Sequence, residues 1–261
     1  MFKYLALFIL LEFFFAARSQ PKTSYWYLRA AFFIGLGFPL SWLADQLWGG
    51  WFASHQNQTI FSNLHPIPGG ILAFISFQFF QHWWHWAMHK NNRLWRLHQV
   101  HHSPERIEAL TTYYGHPFDS IVNILIGSSV LWALGLSVKS ISMFYVIEVA
   151  YDFFTHANIR TPYWVGYFLQ RPEAHRLHHE MHSHKYNYSI PLWDMVFGTF
   201  RNPRPDEPEV ICGFDSMRET RVVDLLLLKD VHADHPQDAR AETHSEKLLN
   251  QGLTGRKPVS A

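Results

Sequence analysis

Three short histidine-rich segments constrain this chain more than anything else in it. They read HWAMH (His85, His89), HQVHH (His98, His101, His102) and HRLHH (His175, His178, His179), and they hold eight of the 18 histidines. The spacing within each segment is three or four residues, which on a helix puts every member on one face. Adjacent imidazoles are costly to bury without partners. Imidazole is also the commonest protein ligand of transition metals. A fold that satisfies these segments must bring their faces together, and a metal centre is the partner that rewards it.

Composition narrows the remaining options. The 261 residues suffice for one large domain or two small ones. Formal net charge is +1, which gives no support to binding of nucleic acid or another polyanion. The one cysteine, Cys212, excludes an internal disulfide, a Cys-rich zinc module and a four-thiolate iron–sulfur cluster. Before Lys90 the only Asp, Glu, Lys or Arg residues are Lys3, Glu12, Arg18, Lys22, Arg29 and Asp45. Such a charge-poor, aromatic-rich first third predicts membrane-embedded helices.

Apolar stretches run over Tyr4–Ala17, Ala30–Trp51 and Ile71–Met88, each near the ~20 residues that span a hydrocarbon core. The first is read as a retained helix, because Ala16-Ala17-Arg18-Ser19 is a poor cleavage context. A fourth stretch, Ile121–Ala150, is long for one span and short for two. We read it as a hairpin dipping into the membrane and turning at Gly135; the alternative is a single long tilted helix. Lys and Arg flank the loops after the first and third stretches and are absent from the loop of residues 51–70, which puts the first and third loops in the cytoplasm and the second outside. A hairpin returns the third histidine segment to the cytoplasmic side of the other two; a single span would strand it across the membrane. The expected fold is therefore all-α: an integral membrane helical bundle with a cytoplasmic, histidine-rich helical cap holding a dinuclear metal centre. Residues 1–70 form the N-terminal spans and external loop, 71–228 the catalytic domain with its hairpin, and 229–261 a polar, mostly disordered tail whose His232, His235 and His244 are solvated.

Eight imidazoles are too many for one structural zinc, which closes at four ligands. They suit two ions that each keep room for a small molecule, and two irons that activate O2 are the best chemical fit. Neutral imidazoles leave the charge of the metals uncancelled, so carboxylates are expected to orient the rings. Candidates are Glu105, Asp119, Asp152, Glu173, Glu180 and Asp194. His82 and His182 sit three or four residues from a box histidine and read either as supporting groups or as ordinary hydrogen-bonded side chains. His116 reads as a supporting group or a helix start, and His184 as a supporting group or solvated. The aromatic run Phe77, Phe79, Phe80, Trp83, Trp84 and Trp86 fits a membrane interface with or without a lipid tunnel.

The three boxes, their order and their place at a membrane edge resemble the fatty acid hydroxylase superfamily, also called the sterol desaturase family. The segment His101-His102-Ser103-Pro104 with His116-Pro117, the segment YDFFTHAN (Tyr151–Asn158) and the run NYSIPLWDMVFGTF (Asn187–Phe200) are similar to further stretches of that family. The resemblance covers about residues 79–200. Trp86 stands where an Arg is common in the family and Ser189 where Gly is frequent. The resemblance implies a membrane di-iron enzyme that hydroxylates or desaturates lipids with O2. It also implies a ninth ligand, His156, beside His85, His89, His98, His101, His102, His175, His178 and His179.

No Rossmann glycine pattern follows a strand. His65-Pro66-Ile67-Pro68-Gly69-Gly70 is similar to a haem-binding H-P-G-G, but the inserted Ile-Pro breaks it. No bound flavin, haem or NAD is expected, and electrons come from a separate protein such as a ferredoxin, cytochrome or reductase. The expected function is O2-dependent oxidation of a lipid C–H bond in the bilayer. The rivals are a membrane metal-binding or transport protein, which predicts more polar residues along the spans, and a zinc hydrolase, which predicts Glu at position 86 within an HExxH box.

Overall fold

A computed structural model describes residues 2–55, 57–181 and 183–232. Its regular elements are helices, and no strand occurs among the described residues, where β-pairing is limited to two isolated bridges. The apolar sequence segments account for the long helices. The first is α1 (Phe2–Phe15). The second, α2 (Trp26–Ala44), continues through a π-helical turn at Asp45–Gly49 into α3 (Gly50–Ser54). Pro66 and Pro68 open α4 (Pro66–Lys90), where a proline's missing N–H has no intrahelical partner to lose. Asn91 then accepts from the backbone N–H groups of Arg93 and Leu94 and starts α5 (Asn92–His102).

The hairpin is present, and it is longer than the apolar pattern suggests. It consists of α6 (Pro117–Leu134) and α7 (Val138–His156). Between them Gly135 adopts φ 60°, ψ 37°, a left-handed conformation that glycine takes without a steric penalty. The loop expected outside the membrane clamps this turn: Thr59 Oγ1 donates to the Leu134 carbonyl at 2.6 Å and Trp132 Nε1 to that of His55 at 2.6 Å. The two legs are splayed rather than paired, since α4 packs against both. Gly70 lets α4 and α7 approach so closely that a Cβ there would collide with Met143.

The first and third expected spans need correcting. With 14 residues α1 is too short to cross a hydrocarbon core. The 25-residue α4 carries Gln78, Gln81, His82, His85 and His89 and is less apolar than its first half suggests. Among the described residues, two helical segments are long and apolar enough to cross a membrane: Trp26–Ser54 and Pro117–Leu134.

Beyond the hairpin come α8 (Pro172–His178), α9 (Pro191–Phe197), α10 (Ser216–Glu219) and α11 (Val222–Leu226). Phe214, Leu225 and Val231 join Trp26, Phe33, Val100 and Tyr114 in one core cluster. Residues 229–232, expected in the polar tail, pack on the body of the protein instead. The Lys229 carbonyl accepts from Gln99 Nε2 at 2.8 Å, Val231 is fully buried and the ring of His232 packs 4.3 Å from that of Phe214. Residues 233–261, with His235 and His244, lie outside the described residues.

Candidate metal centre

All nine candidate histidines converge at the end of the bundle where α4, α5, α7 and α8 meet. They divide into two groups: His85, His89, His98, His102 and His178, and His101, His156, His175 and His179. Within each group one nitrogen per ring lies within 4.8 Å of every other. His156, which spacing alone left unassigned, takes its place because α7 runs on to residue 156.

Hydrogen bonds on the outer nitrogen fix six of these rings. Nδ1–H donates to the Tyr188 carbonyl from His85 (2.7 Å), to Asp119 Oδ2 from His98 (3.1 Å) and to the Tyr114 carbonyl from His101 (3.1 Å). It donates to the Asp152 carbonyl from His156 (2.9 Å), to Gln170 Oε1 from His175 (3.1 Å) and to the Tyr186 carbonyl from His178 (2.8 Å). Each partner can only accept, so each ring is the Nδ1–H tautomer with a bare lone pair on Nε2. Those lone pairs face one another: His85 and His98 at 2.9 Å, His101 and His156 at 3.1 Å, His156 and His175 at 2.9 Å. Two bare lone pairs at that distance repel, and no hydrogen bond relieves them. A cation does, because metal–nitrogen bonds of about 2.0–2.1 Å set neighbouring ligand atoms about 3 Å apart. The donor set therefore fits two late first-row metal ions, one in each group.

Burial works in the same direction. His98, His102, His175, His178 and His179 are all held well below the ordinary imidazole value, first by desolvation and then by repulsion from neighbouring histidines. They stay neutral, as ligands must.

The other expected residues are distributed as follows. Asp119 accepts from His98, Trp84 Nε1 (3.2 Å) and Asn123 Nδ2 (3.3 Å), which links the second box to the start of α6. Asp152 holds His156 through its backbone carbonyl rather than its carboxylate. Asp194 reaches no box histidine. It ties the closing loop by accepting from the backbone N–H groups of Tyr188 and Ser189 and from Thr199 Oγ1, and so fixes the Tyr188 carbonyl that receives His85. His82 is fully buried against Phe197, with Nδ1 3.4 Å from Asp194 Oδ1, outside both groups. His116 caps α6, accepting from Phe118 N at 3.2 Å. Glu173 anchors Thr161. His182 lies outside the described residues. His184 stacks on His89 with ring centres 5.1 Å apart. Sequence reasoning passed over Gln170 and the carbonyls of Tyr114, Tyr186 and Tyr188. Gln170 offers a faint signal five residues before His175; a backbone carbonyl offers none.

A cavity of about 380 Å³ opens beneath the imidazoles, bounded by α2, α4, α6 and α7, with His85, His98, His101, His156 and His175 at its upper end. The site is thus a pair of imidazole clusters, each able to hold a metal ion, above a cavity in a helical bundle with two helical segments long and apolar enough to cross a membrane.

Residues 70–199 match the fatty acid hydroxylase family model, and the chain belongs to the fatty acid hydroxylase superfamily. It is 27% identical over 147 residues to an ornithine lipid hydroxylase of Rhizobium tropici, covering 54% of this chain and 44% of the relative. It is 28% identical over 128 residues to a sphingolipid C4-hydroxylase of Schizosaccharomyces pombe, covering 46% and 44%. It is 28% identical over 119 residues to a very-long-chain aldehyde decarbonylase of Oryza sativa, covering 43% and 46%. The chain thus spans less than half the length of these relatives. No solved structure gives a significant match.

Proposed function

We propose that this protein is a membrane-bound oxidoreductase that uses O2 and a pair of iron ions to hydroxylate or desaturate a lipid C–H bond. The observation that carries the reading is the pair of imidazole groups, five and four rings, directly above the cavity, with six of the rings holding a bare Nε2 opposite an Nδ1–H that is already bonded. Bound there, the irons would supply O2 activation. In hydroxylation one oxygen atom enters the C–H bond and the other leaves as water, with two electrons and two protons from outside. The nine histidines hold the ions. Tyr188, Asp119, Tyr114, Asp152, Gln170 and Tyr186 lock the rings. The cavity excludes water and positions the chain. Hydroxylation is the outcome favoured by the names of the first two relatives.

Several finer points belong to the same proposal. Exposed Leu10, Phe13, Phe14, Leu28, Trp42 and Trp51 along α1–α3 suit a lipid surface, and Lys90, Arg93, Arg96 and Arg106 beside the first two boxes support a cytoplasmic histidine cap. Electrons arrive from a separate ferredoxin, cytochrome or reductase. Residues 71–228 are the catalytic unit. A zinc hydrolase of the HExxH kind carries its base as a Glu within the first box, and position 86 is Trp.

Metal analysis after iron-replete expression is expected to give about two irons per chain; zinc alone would count against the oxidase. Lipids of a host with the wild-type gene, without it, and with His101→Ala should differ by an oxygen-dependent product made only by wild type. Identical profiles would sink the enzyme reading in that host.

A further inference from the structure

The cavity wall changes character in steps. On α7, His156, Asp152, Glu148 and Phe144 follow at four-residue intervals, and all four line the cavity. On α4 the same spacing gives His85, Gln81 and Phe77. Each step is about 6 Å along a helix. The wall therefore reads as three tiers: imidazoles above, a polar belt one to two turns below, and apolar residues beneath it. Gln78, Ser120 and Asn123 complete the belt from α4 and α6.

The belt is rich in acceptors. Gln78 Nε2 lies 3.1 Å from each carboxylate oxygen of Glu148. Among the described residues no Lys, Arg or His forms an ion pair with Glu148 or Asp152. Gln81 Oε1 and Asn123 Oδ1 are buried without a hydrogen-bond partner. A bare methylene chain reaching the histidines would leave Gln81 Oε1, Asn123 Oδ1 and the Asp152 carboxyl group without a partner and Glu148 with the Gln78 amide alone, a penalty for each unpaired group. An ester or ketone brings further acceptors to these oxygens and no donor.

We propose that the belt formed by Gln81, Asn123, Glu148 and Asp152 selects lipids that carry a hydrogen-bond donor, a hydroxyl or protonated amine, close to the carbon to be oxidised. The inference rests on reading the cavity as the lipid site. The donor sits in the belt, the hydrocarbon tail lies among Phe77, Phe144 and their neighbours, and the carbon next to the donor faces the imidazoles. Selection of this kind is strong because the mismatch is paid in unsatisfied buried polar groups.

The test is competition by four chain-matched compounds, octadecylamine, octadecanol, methyl octadecanoate and octadecane, against a fluorescent octadecyl probe on the purified full-length protein in detergent. The amine and the alcohol are expected to bind at least about tenfold more tightly than the ester and the alkane, and Glu148→Gln should abolish most of the amine's advantage. Equal binding of all four in wild type overturns the inference and leaves the lipid reading standing, as does an amine preference that survives Glu148→Gln. If none of the four binds, both fall. The wild-type series decides the matter even if the variant fails to fold.

Discussion

A buried imidazole has two nitrogens and one proton, so whichever nitrogen finds an acceptor decides what the other can do. In this protein Tyr114, Asp152, Tyr186 and Tyr188 make that choice with main-chain carbonyls, Asp119 and Gln170 with side chains. Removing one of the side-chain acceptors is a clean test. Asp119→Ala frees the ring of His98 and is expected to lower metal affinity about 10–100-fold, read as metal retained after dialysis; unchanged retention would refute the orienting role. The histidines themselves were legible in the sequence because a three-or-four-residue spacing survives translation into a helix face. Their partners were not. A carbonyl belongs to every residue, and the carboxylates named in advance divided unevenly: Asp119 reaches a box histidine with its carboxylate, Asp152 only with its backbone, and Asp194 holds a loop instead.

At the scale of elements, the hairpin was deducible from a requirement that the boxes meet, and its turn falls at the expected Gly135. Hydropathy missed its length: α7 ends at His156, six residues past the apolar stretch, because Asp152 and Thr155 face the cavity instead of lipid. It also overstated the spans. An α1 stretch of apolar residues reads like a membrane segment by composition, yet only geometry reveals that the helix stops at Phe15. Gly135→Ala tests the turn. The left-handed conformation costs a non-glycine residue about 1–2 kcal/mol, and the added Cβ would run into the Asn57 carbonyl oxygen. A lower thermal midpoint with metal binding retained is expected; an unshifted midpoint would mean the turn relaxes freely.

For the whole molecule, the buried neutral histidines set a pH dependence. Burial lowers the values of His98, His102, His175, His178 and His179 in the folded chain, while in the unfolded chain they return to the ordinary value of 6.5. Below that pH the unfolded state binds more protons, so stability falls as pH drops through 6.5 and levels off above it. Thermal midpoints of chelator-stripped protein across about pH 5 to 8 check this; a flat profile would contradict it. The division of the imidazoles has one more outcome. Four of the five nitrogens in the larger group come from α4 and α5, which are joined by the single residue Asn91. The smaller group gathers one histidine from α5, one from α7 and two from the third box, across far longer loops. The two positions should then differ in grip: a chelator titration is expected to release metal in two phases, the four-nitrogen position emptying first. A partly stripped sample would be a uniform population with a filled and a vacant chair, not a blend of full and empty molecules.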